Sequence, residues 1–273
     1  MTVADAIRQA AERLSATSDT ARLDAELLMA HALGVSRSRM LVTLMREDEP
    51  PAFGGLVERR AVHEPVAYIT GMQEFRGLEF RVTPDTLIPR GDSETIVEAA
   101  LEVAPNARRV LDMGTGTGAL LLAFLNEAPE ASGMGIDASP AATAVAQQNA
   151  ETLGLSPRIR FLTRSWLEDG WSQDLGQFDL ILCNPPYVEQ DAVLEPDVRD
   201  YEPASALFAG DEGLDDYRAI IPQLGKLILS GGAAVFEIGA NQAEQVCAIA
   251  CESGFESELR RDLAGRPRAL ILR

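Results

Sequence analysis

Short apolar runs of strand character alternate with helix-like segments from Val110 to the C-terminus, which predicts an α/β fold: a doubly wound, mostly parallel, seven-stranded sheet with helices on both faces. A second observation supports this fold. The glycine-rich turn Asp112-Met113-Gly114-Thr115-Gly116-Thr117-Gly118 lies between the first of those runs and a helix, where open α/β sheets receive ligands. A third observation concerns the N-terminus, where apolar residues recur at helix spacing and predict a small helical bundle ahead of the sheet.

In the bundle, Val3, Ala6, Ile7, Ala10, Ala11 and Leu14 mark one helix. Leu23, Leu27, Leu28 and Ala30 mark a second, stopped by Gly34. A third, Met40 to Met45, ends at the acidic Glu47-Asp48-Glu49, and a fourth, Pro51 to Val62, begins with proline where a helix tolerates it. From Glu74 to Val82 the pattern becomes a short alternation about Gly77, a hairpin signal. Strands are then expected at Val110–Met113, Ser132–Ile136, Ile159–Leu162, Phe178–Cys183 and Ala233–Ile238, followed by two closing strands. Helices are expected at Ala119–Glu127, Ala141–Leu153, Tyr217–Leu229 and Ala243–Glu252. The resulting division is a helical domain at 1–72, a hairpin linker at 73–90 and a sheet domain at 91–273.

Composition narrows the class. The 273 residues are 46% hydrophobic and 24% charged, as in ordinary soluble proteins. No apolar stretch approaches a membrane span, and Met1 to Ala10 lacks the basic-then-apolar layout of a signal peptide, so a cytoplasmic location is expected. Three cysteines offer no disulfide framework. Cys247 and Cys251 have the spacing to share a metal on a helix, but with only His31 and His63 elsewhere no ligand set is complete, and no metal is expected. Net charge is −18, unevenly spread: residues 1–90 carry 11 basic and 13 acidic side chains, residues 91–273 carry 13 and 29. Such an acidic body repels phosphate backbones, so no direct nucleic-acid partner is expected.

The chemistry lies at strand ends. Glycines let the chain turn tightly, and the free N–H groups at the following helix start attract a carboxylate or phosphate. The spacing of Gly114, Gly116 and Gly118 departs from the dinucleotide fingerprint, which has a longer final gap. Asp137 ends the next strand, where an acid accepts ribose hydroxyls. Trp166 follows the third strand and has the shape to cover an adenine ring, or simply to fill core. Asn184-Pro185-Pro186-Tyr187 follows the strand Phe178–Cys183. Each proline restricts the residue before it, so backbone directions are set before substrate arrives. The Asn184 side chain and the Pro185 carbonyl can then converge on the two hydrogens of a planar –NH2 group, with the Tyr187 ring against its flat face. A plain Pro-rich turn is the bland alternative.

Taken together, these motifs resemble the class I, Rossmann-like methyltransferases that use S-adenosyl-L-methionine. More closely they resemble the protein-(glutamine-N5) methyltransferases of peptide chain release factors. The resemblance rests on Gly71-Met72-Gln73-Glu74-Phe75, Leu87-Ile88-Pro89-Arg90, Asp112 to Ala119, Gly135-Ile136-Asp137, Asn184 to Tyr187, Tyr201-Glu202-Pro203, Ala206 to Gly210, Gly213-Leu214 and Asp262-Leu263-Ala264-Gly265. It implies that Gly114, Thr115, Gly116, Thr117 and Gly118 contact the methionine part of the cofactor, Asp137 the ribose and Trp166 the adenine. Asn184 and Pro185 would hold the glutamine amide of a Gly-Gly-Gln motif, with Pro186 and Tyr187 beside it and Asn184 also facing the cofactor. The helical domain would hold the release factor, in a protein expected to be monomeric. One departure stands out: Gly91-Asp92-Ser93 replaces a family Pro-acid-Thr, so the stiffening proline is missing.

Other functions compete with this one. A sister enzyme modifying a glutamine of a ribosomal protein shares the motifs; Asp92 and Tyr201-Glu202-Pro203 favour the release-factor type. DNA adenine methyltransferases share the Asn-Pro-Pro-Tyr turn but need base flipping and a basic groove. A non-catalytic binding module would keep the fold without transfer, and the glycine spacing disfavours a nicotinamide-dependent oxidoreductase. No dedicated general base is expected beyond a carboxylate in the loop from Glu189 to Glu202.

Overall fold

The structure, a computed structural model, describes residues 1–273. It divides into two compact units, Met1–Met72 with Leu194–Tyr201, and Gln73–Val193 with Glu202–Arg273.

The first unit is helical, with helices Val3–Leu14, Ala21–Leu33, Arg37–Thr43, Phe53–Ala61, Val66–Thr70 and Pro196–Arg199. The hydroxyl of Thr2 accepts the Asp5 N–H at 3.2 Å and caps the first helix. Gly34, at φ 64°, ends the second in the left-handed conformation. The buried stripe of that second helix runs through Ala21, Asp24, Ala25, Leu28 and Met29. Leu23 and Leu27, expected on the apolar face, are exposed instead. The reason is an ion pair inside the unit: Arg60 Nε donates to Asp24 Oδ2 at 2.7 Å, and both side chains are buried. The third helix starts earlier than expected, at Arg37, because the Ser36 hydroxyl accepts the Arg39 N–H and caps it. The helix at Val66–Thr70, between Pro65 and Gly71, was not foreseen, nor was the participation of Leu194–Tyr201. Within this unit Tyr201 Oη donates to the Val62 carbonyl at 2.9 Å.

A two-stranded hairpin, β1 (Met72–Phe75) and β2 (Leu78–Arg81), turns at Arg76 and Gly77. Their φ values of 49° and 73° fit the turn that matches strand twist. The main sheet comprises β3 (Arg109–Met113), β4 (Ser132–Asp137), β5 (Ile159–Thr163), β6 (Phe178–Cys183), β7 (Ile228–Glu237), β8 (Ser257–Arg261) and β9 (Pro267–Leu272). Its order is β5-β4-β3-β6-β7-β9-β8. The first five run parallel; β9 is antiparallel to β7 and to β8. This is the seven-stranded, mostly parallel sheet expected. Strand alternation splits the core in two. Val110, Leu180 and Leu182 pack with helices Glu94–Val103, Ala119–Glu127 and Pro140–Thr152 on one face. Leu111, Met113, Ile181 and Cys183 pack with Asp215–Ile220 and Ala243–Glu252 on the other.

Two elements differ from expectation. The single helix foreseen at Tyr217–Leu229 is Asp215–Ile220, a 3-10 turn Ile221–Gln223 and a short Leu224–Leu227. Pro222 lacks the N–H that would continue the α-helical ladder. β7 begins at Ile228 rather than Ala233, crossing Gly231 (φ 82°) and Gly232 with a register shift opposite Phe178 and Leu180. Glycines inside a strand disguise it as a turn in the sequence.

β3 lies between β4 and β6. Connections leave β3 toward one edge and return on its other side, so a crevice opens at the carboxyl ends of β3 and β6. The glycine turn follows the first strand and the Asn-Pro-Pro-Tyr turn the second.

Candidate active site

The glycine loop is left-handed at every second residue, with φ of 71° at Gly114, 53° at Gly116 and 83° at Gly118. That backbone explains the alternate spacing, since only glycine enters this region without strain. The loop is latched to the end of β4: Gly114 and Thr115 N–H donate to the Ile136 carbonyl at 2.9 and 3.0 Å. Gly114, Thr115, Gly116 and Thr117 line a cleft. Gly118 stands behind its wall, where a Cβ would lie 2.9 Å from Leu122 Cδ1, so its role is close packing at the start of helix Ala119–Glu127. Asn149, buried on helix Pro140–Thr152, braces the loop from below by donating to the Thr117 carbonyl at 2.9 Å.

Asp137 lines the same cleft. Its Oδ2 accepts the Gly116 N–H and its Oδ1 the Ser139 N–H, both at 2.9 Å. Burial pushes its carboxyl up from the usual range, against the pull of those two bonds. Each oxygen retains a lone pair for a ligand hydroxyl. Behind the loop lies Asp112, which sequence reasoning gave no chemical role. It is fully buried, with Oδ2 accepting the Thr115 hydroxyl at 2.6 Å and Oδ1 left with no partner. Burial pushes it up to about 7, with the Thr115 bond opposing and the Asp137 charge adding to the rise. An acid inside an apolar strand run, Val-Leu-Asp-Met, was the signal available.

Trp166 is also on the wall. Its Cη2 sits 3.0 Å from where a Cβ on Gly114 would stand, so the glycine admits the indole. Its Nε1 donates to Asp216 Oδ1 at 2.5 Å, fixing the ring from 50 residues away along the chain. No local pattern pointed to Asp216.

In the turn after β6, Asn184 and Pro186 face the cleft, Pro185 is buried and Tyr187 is half-buried behind them. The Asn184 side chain hydrogen-bonds no other protein group. Tyr187 is held from three sides: its N–H donates to the Leu207 carbonyl at 3.2 Å, its carbonyl accepts Gln242 Nε2 at 2.9 Å, and its hydroxyl donates to Glu237 Oε1 at 3.2 Å. The ring packs into the core cluster of Met113, Cys183 and Phe236.

Leu87-Ile88-Pro89-Arg90, Ser93 and Pro203 also line the cleft. Glu202, the buried acid at the end of the loop after Glu189, pairs with the Arg90 guanidinium and accepts the Ile88 N–H at 3.4 Å. The Gly91–Ser93 segment is secured by polar bonds. Gly91–Ser93 forms a 3-10 turn, Asp92 Oδ2 accepts Arg266 Nη2 at 2.7 Å and Arg268 Nη2 at 3.0 Å, and Ser93 Oγ donates to Glu237 Oε2 at 2.5 Å.

A doubly wound sheet with a glycine loop after β3, an acid after β4 and a polar Pro-Pro turn after β6 defines the class I methyltransferases. Comparison with known proteins agrees with this class: a family model described as "Methyltransferase small domain" matches residues 93–199, and one described as "PrmC N-terminal domain" matches residues 5–71. Solved structures share the fold. The catalytic domain of hMettl16 in complex with a MAT2A 3'UTR hairpin aligns with TM-score 0.58 and 17% identity over 79% of each chain. A methyltransferase from Pyrococcus furiosus aligns with TM-score 0.52 and 15% identity over 72% of this chain and 89% of that one. At such identities the likeness shows fold alone. Sequence relatives are much nearer. The release factor glutamine methyltransferase of Geobacter sulfurreducens is 43% identical over 87% of this chain and 84% of its own. Those of Bradyrhizobium diazoefficiens and Cereibacter sphaeroides are each 40% identical, over 99% and 100% of this chain and 94% and 99% of theirs. The chain belongs to the release factor glutamine methyltransferase family, and it is an enzyme. No helix is long and apolar enough to cross a membrane.

Proposed function

We propose that the protein transfers a methyl group from S-adenosyl-L-methionine to the side-chain amide nitrogen, N5, of the glutamine in the Gly-Gly-Gln motif of peptide chain release factors. The observation that carries this reading is the Asn184 side chain, unpartnered within the protein, on the wall of the same cleft as the glycine loop and Asp137. The names of the relatives point to the same substrate class.

The residues present fit the cofactor. Gly114 to Thr117 and the helix start behind them offer N–H groups to its carboxylate, Asp137 offers lone pairs to its ribose, and Trp166 and the apolar wall accept its adenine. When bound, the cofactor supplies a methyl group already activated on a sulfonium.

The protein's task is therefore alignment and charge. Well-oriented reactants gain effective molarities of about 10⁵ M or more, several kcal/mol without acid or base residues. An amide is a weak nucleophile because its lone pair is shared with its carbonyl. The Asn184 side-chain oxygen and the Pro185 carbonyl each accept one N–H of the substrate amide, which raises electron density on nitrogen and stabilises the positive charge that develops there. The surplus proton leaves to water. Among loop carboxylates, Glu202 is committed to Arg90, while Glu189, Asp191 and Glu195 are exposed.

Residues 1–72 serve to hold the release factor in this reading, and the acidic sheet unit discourages nucleic acid. We place the activity in the cytoplasm, in a monomer. The test is to incubate the protein with labelled S-adenosyl-L-methionine and, separately, with release factors, ribosomal proteins and DNA, and to locate methyl groups by mass spectrometry. A methyl on the Gly-Gly-Gln glutamine is expected; methylation confined to a ribosomal protein or to DNA overturns the proposal.

A further inference from the structure

Glu237 is the last residue of β7 and is 1% exposed. Cys183 on β6 pairs with Phe236 on β7, so Glu237 emerges beside the start of the Asn184–Tyr187 turn. Its two carboxylate oxygens serve different segments. Oε1 accepts the Tyr187 hydroxyl at 3.2 Å, and Oε2 accepts the Ser93 hydroxyl at 2.5 Å. Tyr187 closes the acceptor turn, whereas Ser93 ends the 3-10 turn that lines the cofactor cleft.

We infer that Glu237 is a positioning residue, a clamp whose single carboxylate locks the acceptor turn and the cofactor-cleft wall in register with each other. Such a clamp suits a reaction governed by alignment, where a misplacement of about 1 Å can cost on the order of a hundredfold in rate. The backbone around it is pinned independently: the Glu237 carbonyl accepts the Tyr217 hydroxyl at 2.8 Å, and Ile238 N–H donates to the Arg268 carbonyl at 2.9 Å. Charge is balanced from one side only. Arg268, buried on β9, holds Nη1 3.8 Å from Oε1 and Nη2 3.0 Å from Asp92. That cation also lies 3.7 Å from Asp262 in the β8–β9 turn. Burial, and then the Glu237 charge, push the Tyr187 phenol up, which keeps it a hydrogen donor. Arg268 at 3.8 Å lies beyond hydrogen-bond reach, so the hydrogen bonds to this carboxylate come from the two hydroxyls. It reaches 144 residues back in sequence to Ser93 and 50 back to Tyr187.

The kinetic part of this inference rests on the methyl-transfer reading; the structural part does not, and the experiment separates them. Hydrogen exchange followed by mass spectrometry on the full chain should show Glu237→Gln accelerating exchange about tenfold in two peptides at once, one spanning residues 91–93 and one spanning 184–188. Tyr187→Phe should loosen only the second and Ser93→Ala only the first. Acceleration in one peptide or neither for Glu237→Gln overturns the clamp. Should that variant not fold, the Tyr187→Phe and Ser93→Ala pair decides, because unchanged exchange in both overturns it equally. In methyl transfer, Glu237→Gln and Tyr187→Phe should each lower kcat about tenfold with the KM for release factor within about threefold, and the double variant should be no worse than the worse single. Full kcat in Tyr187→Phe, or losses that multiply, overturns the positioning role. A wild-type protein that methylates no release factor strikes the functional reading instead, and the exchange data still judge the clamp.

Discussion

Asn184 and Asp112 illustrate how two polar residues can stand in opposite surroundings, one on a cleft wall and one buried behind the glycine loop. Asn184 is half-buried and keeps its amide free, so its removal should act on the transition state. Asn184→Ala is expected to lower kcat by about 10² to 10³, the cost of losing one aimed acceptor, with S-adenosylhomocysteine affinity by calorimetry within a few-fold. Normal turnover in that variant would sink its role. Asp112 is buried behind the loop and raised from 3.8 to about 7. Across that window the folded state holds a proton that the unfolded state releases, so the stability it contributes is full below the ordinary carboxylate value and is lost as pH rises through about 7. Between pH 5.5 and 8.5 the loss amounts to about 2 kcal/mol. Asp112→Asn resembles the protonated acid and should remove that pH dependence. Urea titrations at the two pH values measure it, and an unchanged wild-type slope would refute the burial argument. Asp112 was visible in the sequence only as an acid in an apolar strand; its missing partner is a fact of three dimensions.

The elements around the cleft differ in how plainly their sequences announced them. Helix Ala119–Glu127 and strand β6 have the bounds expected, because an apolar run closed by Gly118 or by Asn-Pro-Pro leaves little freedom in either end. β7 and the broken helix before it depart from expectation for opposite reasons: Pro222 imposes its local break on the helix, whereas sheet pairing overrides the turn preference of Gly231-Gly232. Backbone conformation yields two contrasting predictions. Gly118→Ala places a Cβ at φ 83° and 2.9 Å from Leu122, so strain and overpacking together should destabilise the protein by about 2 kcal/mol; an unaltered denaturation midpoint would contradict the geometry. Gly91→Pro should do the reverse. Gly91 opens a 3-10 turn after an extended Arg90 (φ −104°, ψ 143°), and a Cβ there meets nothing within 4 Å. Proline fits such a position, and restricting the unfolded chain should add about 0.5 kcal/mol or more, read as a higher denaturation midpoint.

For the whole molecule, the division into two units has a consequence that linear order conceals. Leu194–Tyr201 lies more than a hundred residues beyond Met72 yet belongs to the helical unit, where Tyr201 bonds to Val62 and Asp197 lies 3.9 Å from Arg60. Arg60→Met would leave Asp24 buried and uncompensated, at a cost of about 3 kcal/mol. Hydrogen exchange should then rise in residues 1–72 and 194–201 together, with the sheet unit little changed; protection retained at 194–201 would remove that segment from the unit. The sequence by itself determined the fold class, the alternation of strands and helices, and where the glycine loop, Asp137, Trp166 and the Asn-Pro-Pro-Tyr turn stand along the chain, because strand periodicity, glycine freedom and proline stiffness are local properties written in neighbouring residues. Only the tertiary structure decided that Asp216 fixes Trp166, that Asn149 braces the loop, that Asp24 and Arg60 share the interior of the helical unit, and that Glu237 joins Ser93 to Tyr187. Those partners lie tens of residues apart, and a buried hydrogen bond between them leaves no periodic trace: its worth depends on desolvation and distance, which exist only once the chain has packed.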